Sequence, residues 1–211
     1  MIPALSRRAL LPAAWLTVLS LAACGDRDRS MAGRDTAAAV PETGMSADTA
    51  TTEAAGTGAT LTDANIVALL DEANMADSAA GALAATKATS KDVKDFAKLM
   101  MSEHHALRKQ GQDLAKKLNV TPAPPANDPL KPLAESEMTT LKSTPKGPEF
   151  DRVYIEQEIA AHKAVLDVAQ KGHDQAQNEQ LKALIEQAKP VVQKHLDQAE
   201  AIQKKLGEAT S

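Results

Sequence analysis

The chain has 211 residues, 43% hydrophobic and 25% charged but only 2% aromatic, with a net charge of −4. Phe96, Phe150 and Tyr154 are the only rings of Phe, Trp or Tyr beyond the first twenty residues, so the interior must be filled by Leu, Ile, Val, Met and Ala, which suits close-packed helices better than a sheet. Without Arg7 and Arg8 the balance is 22 basic against 28 acidic residues, a charge of −6, which leaves no electrostatic footprint for nucleic acid; no such partner is expected.

Residues 1–23 read as an export signal, with Arg7 and Arg8 ahead of an apolar run from Ala9 to Leu21 that is too short to span a membrane. The run closes Leu21-Ala22-Ala23-Cys24, which resembles the lipobox of bacterial lipoproteins. Cys24 is the single cysteine, so it has no internal disulfide partner, and a lipid-bearing thiol fits that count. An ordinary signal peptide with a chance cysteine is the alternative. By resemblance to other lipoproteins, Gly25 after the cysteine favours the outer membrane over the inner. Ser6-Arg7-Arg8-Ala9-Leu10-Leu11 also looks like a twin-arginine signal, so the export route stays open. Residues 24–60 are rich in Ala, Thr, Gly, Asp and Glu and cannot bury enough apolar surface to offset chain entropy. They are expected to form a disordered tether ahead of a folded domain over 61–207.

Thr62 is the expected cap of the first helix, whose seam is Ile66, Leu70, Ala73, Asp77, Ala80 and Ala84. A turn at Ala88-Thr89-Ser90, with Thr89 or Ser90 as cap, leads into a second helix with seam Val93, Ala97, Met100, His104, Leu107, Gly111, Leu114 and Leu118. Steps of four and three define the stripe of a helix in a bundle. The second helix ends near Asn119, and a connection of roughly 28 residues, interrupted by a short helix from about Leu133 to Lys142, leads to Gly147-Pro148. The third helix carries Ile155, Ile159, His162, Leu166 and Ala169 on its seam; the fourth carries Leu181, Ile185, Ala188, Val192, His195, Ala199, Ile202 and Leu206. Pro190 is expected to bend or loosen the fourth. Short outer turns and a single long crossover predict an all-α, ferritin-like four-helix bundle.

Phe96-Ala97-x-x-Met100, Glu103-His104, Phe150-Asp151-x-x-Tyr154, His162, Pro190 and His195 together resemble a bacterial family of exported proteins, the domain of unknown function numbered 4142. The likeness spans about residues 62–206 and implies a ferritin-like fold and, in many members, a lipid anchor. It implies no reaction. Glu103 stands where an aspartate is usual in that family and Asp77 where a glutamate is common, the charge being kept in both.

Asp77, His104, His162 and His195 each fall on the seam of a different helix. At ~1.5 Å rise per residue, His104 lies ~22 Å and Asp77 ~16 Å from the first turn, about one helical turn apart in height. A second turn at Gly172–Asp174 would separate His162 and His195 by ~16 Å, whereas one at Gln175–Asn178 brings them within ~5 Å. The latter agrees with the family pattern; Asn178 is then a cap and Gly172 is tolerated inside the helix at about 1 kcal/mol. Four buried polar groups left unpaired would cost ~1–3 kcal/mol each, so something must satisfy them. One solution is a transition metal ion (zinc, iron, copper or manganese) held by Asp77, His104, His162 and His195, with Glu158, Tyr154 and Glu103 around them and Glu158 accepting the second N–H of His162. The other is a metal-free network in which carboxylates, Tyr154 and waters pair with the histidines. A third outcome leaves one histidine facing solvent. A di-metal oxidase is disfavoured, because Met101, Ile159 and Val192 stand where Glu-x-x-His pairs need glutamates. No catalytic residue is assigned. His105 and His173 are expected near the surface, Met100 and Met101 as core filling, and Asp151 in a structural role.

The resulting expectation is a lipid-anchored, periplasm-facing envelope protein that binds a metal ion in its bundle core, or else a metal-free structural or interaction module. Its membrane contact would run through the lipid on Cys24, and its Ala-rich helix surfaces would also allow a homo-oligomer.

Overall fold

The structure, a computed structural model, describes residues 60–208. Cys24, the export signal and the tether lie outside the described residues. Thr62 opens α1 (Asp63–Lys87) through a capping box, its side chain accepting from the Asn65 N–H while the Asn65 side chain accepts from the Thr62 N–H. Next come α2 (Lys91–Leu118), α3 (Lys131–Ser143), α4 (Pro148–Gln175) and α5 (Glu179–Glu208). Among the described residues there is no strand. Asn119 closes α2 in the left-handed conformation at φ 55°, which Asn tolerates better than most residues. The Asn178 Oδ1 accepts from Gln180 N–H at 2.9 Å at the start of α5, which places the second turn at Gln175–Asn178. Pro190 does not end α5, which continues through it to Glu208.

The cap of α2 differs from expectation. Ser90 occupies the cap position without a side-chain bond. Instead Asp151, near the start of α4, accepts from the N–H groups of Thr89 (2.8 Å) and Ser90 (2.7 Å) and from the Thr89 hydroxyl (2.6 Å). A carboxylate offers more lone pairs than a hydroxyl and favours the positive end of a helix dipole, so Asp151 ties the first turn to α4.

Contacts at the two ends fix the helix directions. The start of α2 meets the start of α4 through Asp151 and the end of α5 through the Lys205–Asp92 ion pair at 2.9 Å. At the opposite end, Leu61 N–H donates to Gln175 and Gln177 N–H to Asp63, so α1 begins beside the α4–α5 turn. Hence α1 and α5 run one way and α2 and α4 the other, the arrangement a long connection between α2 and α4 permits. α1 packs on α2 and α4, and α5 packs on the same two; α3 lies across α1 and α4. Packed against three other helices, α4 buries both Ile155 and Tyr154 and both Glu158 and Ile159.

The core divides into two ends with the histidines between them. Among the described residues the three Phe and Tyr rings lie at the α1–α2 turn end, Phe150 stacked on Tyr154 and Phe96 edge-on to it, each pair 6.3 Å between centroids. The other end is aliphatic, built on Ile66, Val67, Leu181 and Ile185. Gly172 sits there against α1, and a Cβ added to it would lie 3.1 Å from Ile66 Cγ2; the glycine permits this close helix approach. In this half the seam of α2 loosens. Leu107, Gly111, Leu114 and Leu118 are only half-buried, and on α1 it is Leu69, not Leu70, that is fully covered.

Candidate metal centre

His104 on α2, His162 on α4 and His195 on α5 each retain 1% exposure or less, so none faces solvent. Their ring centroids form a triangle of 5.1, 5.4 and 5.5 Å, and one ring nitrogen from each falls within 4.8 Å of the others. The near-equal heights follow from antiparallel hairpins whose turns lie where the spacing puts them.

Each imidazole is held from behind by an oxygen acceptor. The Asn74 amide fixes its own orientation by donating from Nδ2 to Leu70 O at 2.6 Å, leaving Oδ1 to accept from His104 Nδ1 at 3.0 Å. Asp77 Oδ2 lies 3.3 Å from the same nitrogen. His195 Nε2 donates to Glu103 Oε2 at 2.7 Å. His162 Nδ1 donates to the backbone carbonyl of Glu158 at 2.8 Å, while the Glu158 carboxylate is 3.4 Å away. The carbonyl therefore takes the role expected of the Glu158 carboxylate, because the helix presents it directly to the ring one turn later.

These contacts decide where the protons sit. A neutral imidazole has one N–H, and here the outward nitrogen of each ring carries it. His104 Nε2, His195 Nδ1 and His162 Nε2 are left as lone pairs. His104 Nε2 and His195 Nδ1 face each other at 3.2 Å, and His162 Nε2 is buried without a partner. An extra proton between them is disfavoured, since burial pushes His104 down to about 4, only slightly offset by the Glu103 charge, and lowers His162 and His195 as well. With the outward protons committed, the three inward nitrogens are left as acceptors within 4.8 Å of one another. Nitrogens bound to one tetrahedral zinc at ~2.0–2.1 Å would lie roughly 3.3 Å apart. The donor set and its spacing fit a cation.

A second group of buried acids adjoins the first. Asp77, Glu158 and His162 also bring one ligand atom each within 4.8 Å of one another, and Glu137 of α3, 3% exposed, lies over them. Burial pushes Asp77 up to about 6, with the nearby His162 acting against it, and pushes Glu137 up to about 8, aided by the charge of Asp77. Burial likewise drives Glu158 well up, with Asp77 and Glu137 adding to it, and raises the Tyr154 hydroxyl beside it. Neither Glu158 carboxylate oxygen completes a hydrogen bond of ordinary geometry, nor does the Tyr154 hydroxyl. In the metal-free chain Glu137 retains at neutral pH a proton that a neighbouring cation would displace.

Of the residues assigned from the seams, His104, His162 and His195 form one group of candidate ligands, whereas Asp77 falls in the adjoining group with Glu158 and His162. Asp77 stands behind His104 and beside Glu158, Glu103 behind His195, and Tyr154 at the aromatic edge. His105 is exposed, and His173 is half-buried near Asp174 and Glu186. Two participants escaped the seam reading. Asn74 lies next to the seam residue Ala73, three residues before Asp77. Glu137 lies on a short stripe of its own, Leu130, Ala134, Glu137 and Leu141, in steps of four, three and four; a charged residue amid such a stripe is the same signal that marks His104.

The sequence matches a family described as a domain of unknown function (DUF4142) over residues 48–202. No curated protein and no solved structure matches the chain.

Proposed function

The chain belongs to this DUF4142 family, and on that premise we propose that it is a lipid-anchored protein of the bacterial cell envelope that binds one transition metal ion through His104, His162 and His195. The single observation carrying the metal reading is the convergence of three neutral imidazole lone pairs, two of them 3.2 Å apart, with each opposite N–H already committed. Three imidazoles favour zinc, copper or iron over manganese, which prefers oxygen donors. Three protein ligands leave one tetrahedral position open. A cation held by these three histidines would supply Lewis-acid chemistry. The chain's own contribution is to orient the rings. Asn74, Glu103 and the Glu158 carbonyl fix tautomer and direction, and Asp77 supplies charge behind His104. The envelope location rests on the export signal and on Cys24 in its lipobox-like setting, with the outer membrane favoured.

Elemental analysis of chain purified without a histidine tag, after supplementation with zinc, copper, iron and manganese in turn, tests the metal. About one equivalent per chain is expected, lost in His162→Ala while circular dichroism stays helical. Absence of metal under every supplement would leave the alternative, a metal-free structural or interaction module of the envelope. Cys24→Ser is expected to shift the protein from the membrane to the soluble fraction; an unchanged membrane fraction would overturn the anchor.

A further inference from the structure

One turn beneath the histidine layer, each long helix contributes one residue from the same faces. Asn74 precedes Asp77 by three, Leu107 follows His104 by three, Val165 follows His162 by three, and Val192 precedes His195 by three. Together they line a pocket that ends on the His104 ring and includes Leu70 and Gly111 in its walls. The pocket exists because α2 carries a glycine on its seam here: a Cβ added at Gly111 would meet nothing within 4 Å.

The polar atoms around this space are already occupied. Asn74 donates to Leu70 O and accepts from His104. At the rim Arg108 holds Asp71 through two bonds of 3.0 and 3.1 Å, and Gln112 donates to the same carboxylate at 2.8 Å. A buried water needs about 2–4 polar partners, and the aliphatic walls supply none. The space open to the centres of water-sized molecules is about 40 Å³, several times the ~10–15 Å³ that one water requires. This volume fits an occupant of two or three heavy atoms that asks for few hydrogen bonds.

We propose that this pocket binds a small, neutral, weakly polar molecule of the size of dioxygen or nitric oxide and holds it beside the trihistidine centre. Of the three histidines only His104 lines the pocket, so the link to the centre runs through that ring and rests on the metal reading above. The occupant is selected by wall chemistry and size. Charged anions are disfavoured, since no unpaired cationic side chain lines the interior and desolvating a charge there is costly.

Two probes test the pocket separately from the metal. Xenon, which enters dry apolar cavities, is titrated into the full chain by xenon NMR, with and without bound metal. Nitric oxide is added to ferrous-loaded chain and followed by electron paramagnetic resonance. Gly111→Leu fills the open space from α2, Gly111→Ala serves as the control, and Ala188→Leu closes the α5 wall should Gly111→Leu fail to fold. Saturable xenon uptake is expected in the native chain and in Gly111→Ala, weakened by about tenfold or more in the plugged variant, with nitric oxide binding slowed alongside it. No saturable xenon uptake by the folded native chain overturns the proposal. So does nitric oxide binding equally fast in native and plugged chains. Xenon uptake by a chain that retains no metal upholds the pocket and overturns the reading of the centre.

Discussion

Replacing Glu137 by Gln tests the electrostatics of the acidic side of the centre. Glu137 is 3% exposed with Oε1 unpartnered, and burial with the charge of Asp77 pushes its carboxyl from 4.5 up to about 8. In the unfolded chain it ionises near 4.5, whereas the folded chain keeps the proton until about pH 8. Between these values the folded state binds more protons, so this contribution to stability is present at low pH and is lost as pH rises through the window. Taking ~1.36 kcal/mol per pH unit, with tapering as the folded value is approached, the loss from pH 6 to pH 8 is roughly 2 kcal/mol. Gln keeps the shape and cannot ionise, so Glu137→Gln lacks this term. Thermal unfolding followed by far-ultraviolet circular dichroism, in chelator so that no metal contributes, compares the two chains at each pH. The histidine terms are common to both and drop out of the difference. Between pH 6 and pH 8 the variant is expected to gain about 4–8 °C in midpoint relative to the native chain. A constant offset between the two chains across that range would refute the assignment of Glu137 as a buried, proton-retaining acid.

Glu103→Gln removes the carboxylate behind His195 and is expected to weaken zinc binding by about 10–100-fold, read by chelator competition, with little change in helicity. Zinc occupancy at sub-saturating metal is expected to fall only as pH drops below 5 towards the value of about 4 at which His104 takes up a proton, because the inward nitrogens must stay unprotonated; a loss already complete at pH 6 would contradict the lowered histidine values. Asp151→Ala strips the N-terminus of α2 of its cap and is expected to cost about 1–3 kcal/mol in urea unfolding. Gly81→Ala, whose Cβ would lie 2.8 Å from the Ala97 carbonyl, is expected to lower stability despite the better helix propensity of alanine, since α1 and α2 must separate.

Much of this was legible because helix seams obey a period. The stripes of α1, α2, α4 and α5 put Asp77, His104, His162 and His195 inside, and the height rule placed them at one level once the second turn fell at Gln175–Asn178. What the stripes could not carry was direction around the ring. That Asp77 stands behind His104, and that a backbone carbonyl rather than the Glu158 carboxylate orients His162, depend on rotamers and on atoms every residue shares. Glu137 went unread because it lies in a crossover treated as a connection, although its own stripe runs Leu130, Ala134, Glu137, Leu141. The cap of α2 by Asp151, sixty-odd residues away in the chain, is a tertiary contact that no local pattern encodes. The loosening of α2 from Leu107 onward has a sequence correlate in Gly111, but seam spacing alone treats a glycine as packed.

Whether three imidazoles share one ion is decided most directly by X-ray absorption on zinc-loaded protein. Three histidine nitrogens at ~2.0–2.1 Å with one oxygen ligand completing the shell are expected, falling to two histidines or to no bound zinc in His195→Ala. A native spectrum showing only oxygen ligands, or a spectrum identical in His195→Ala, would contradict a trihistidine centre.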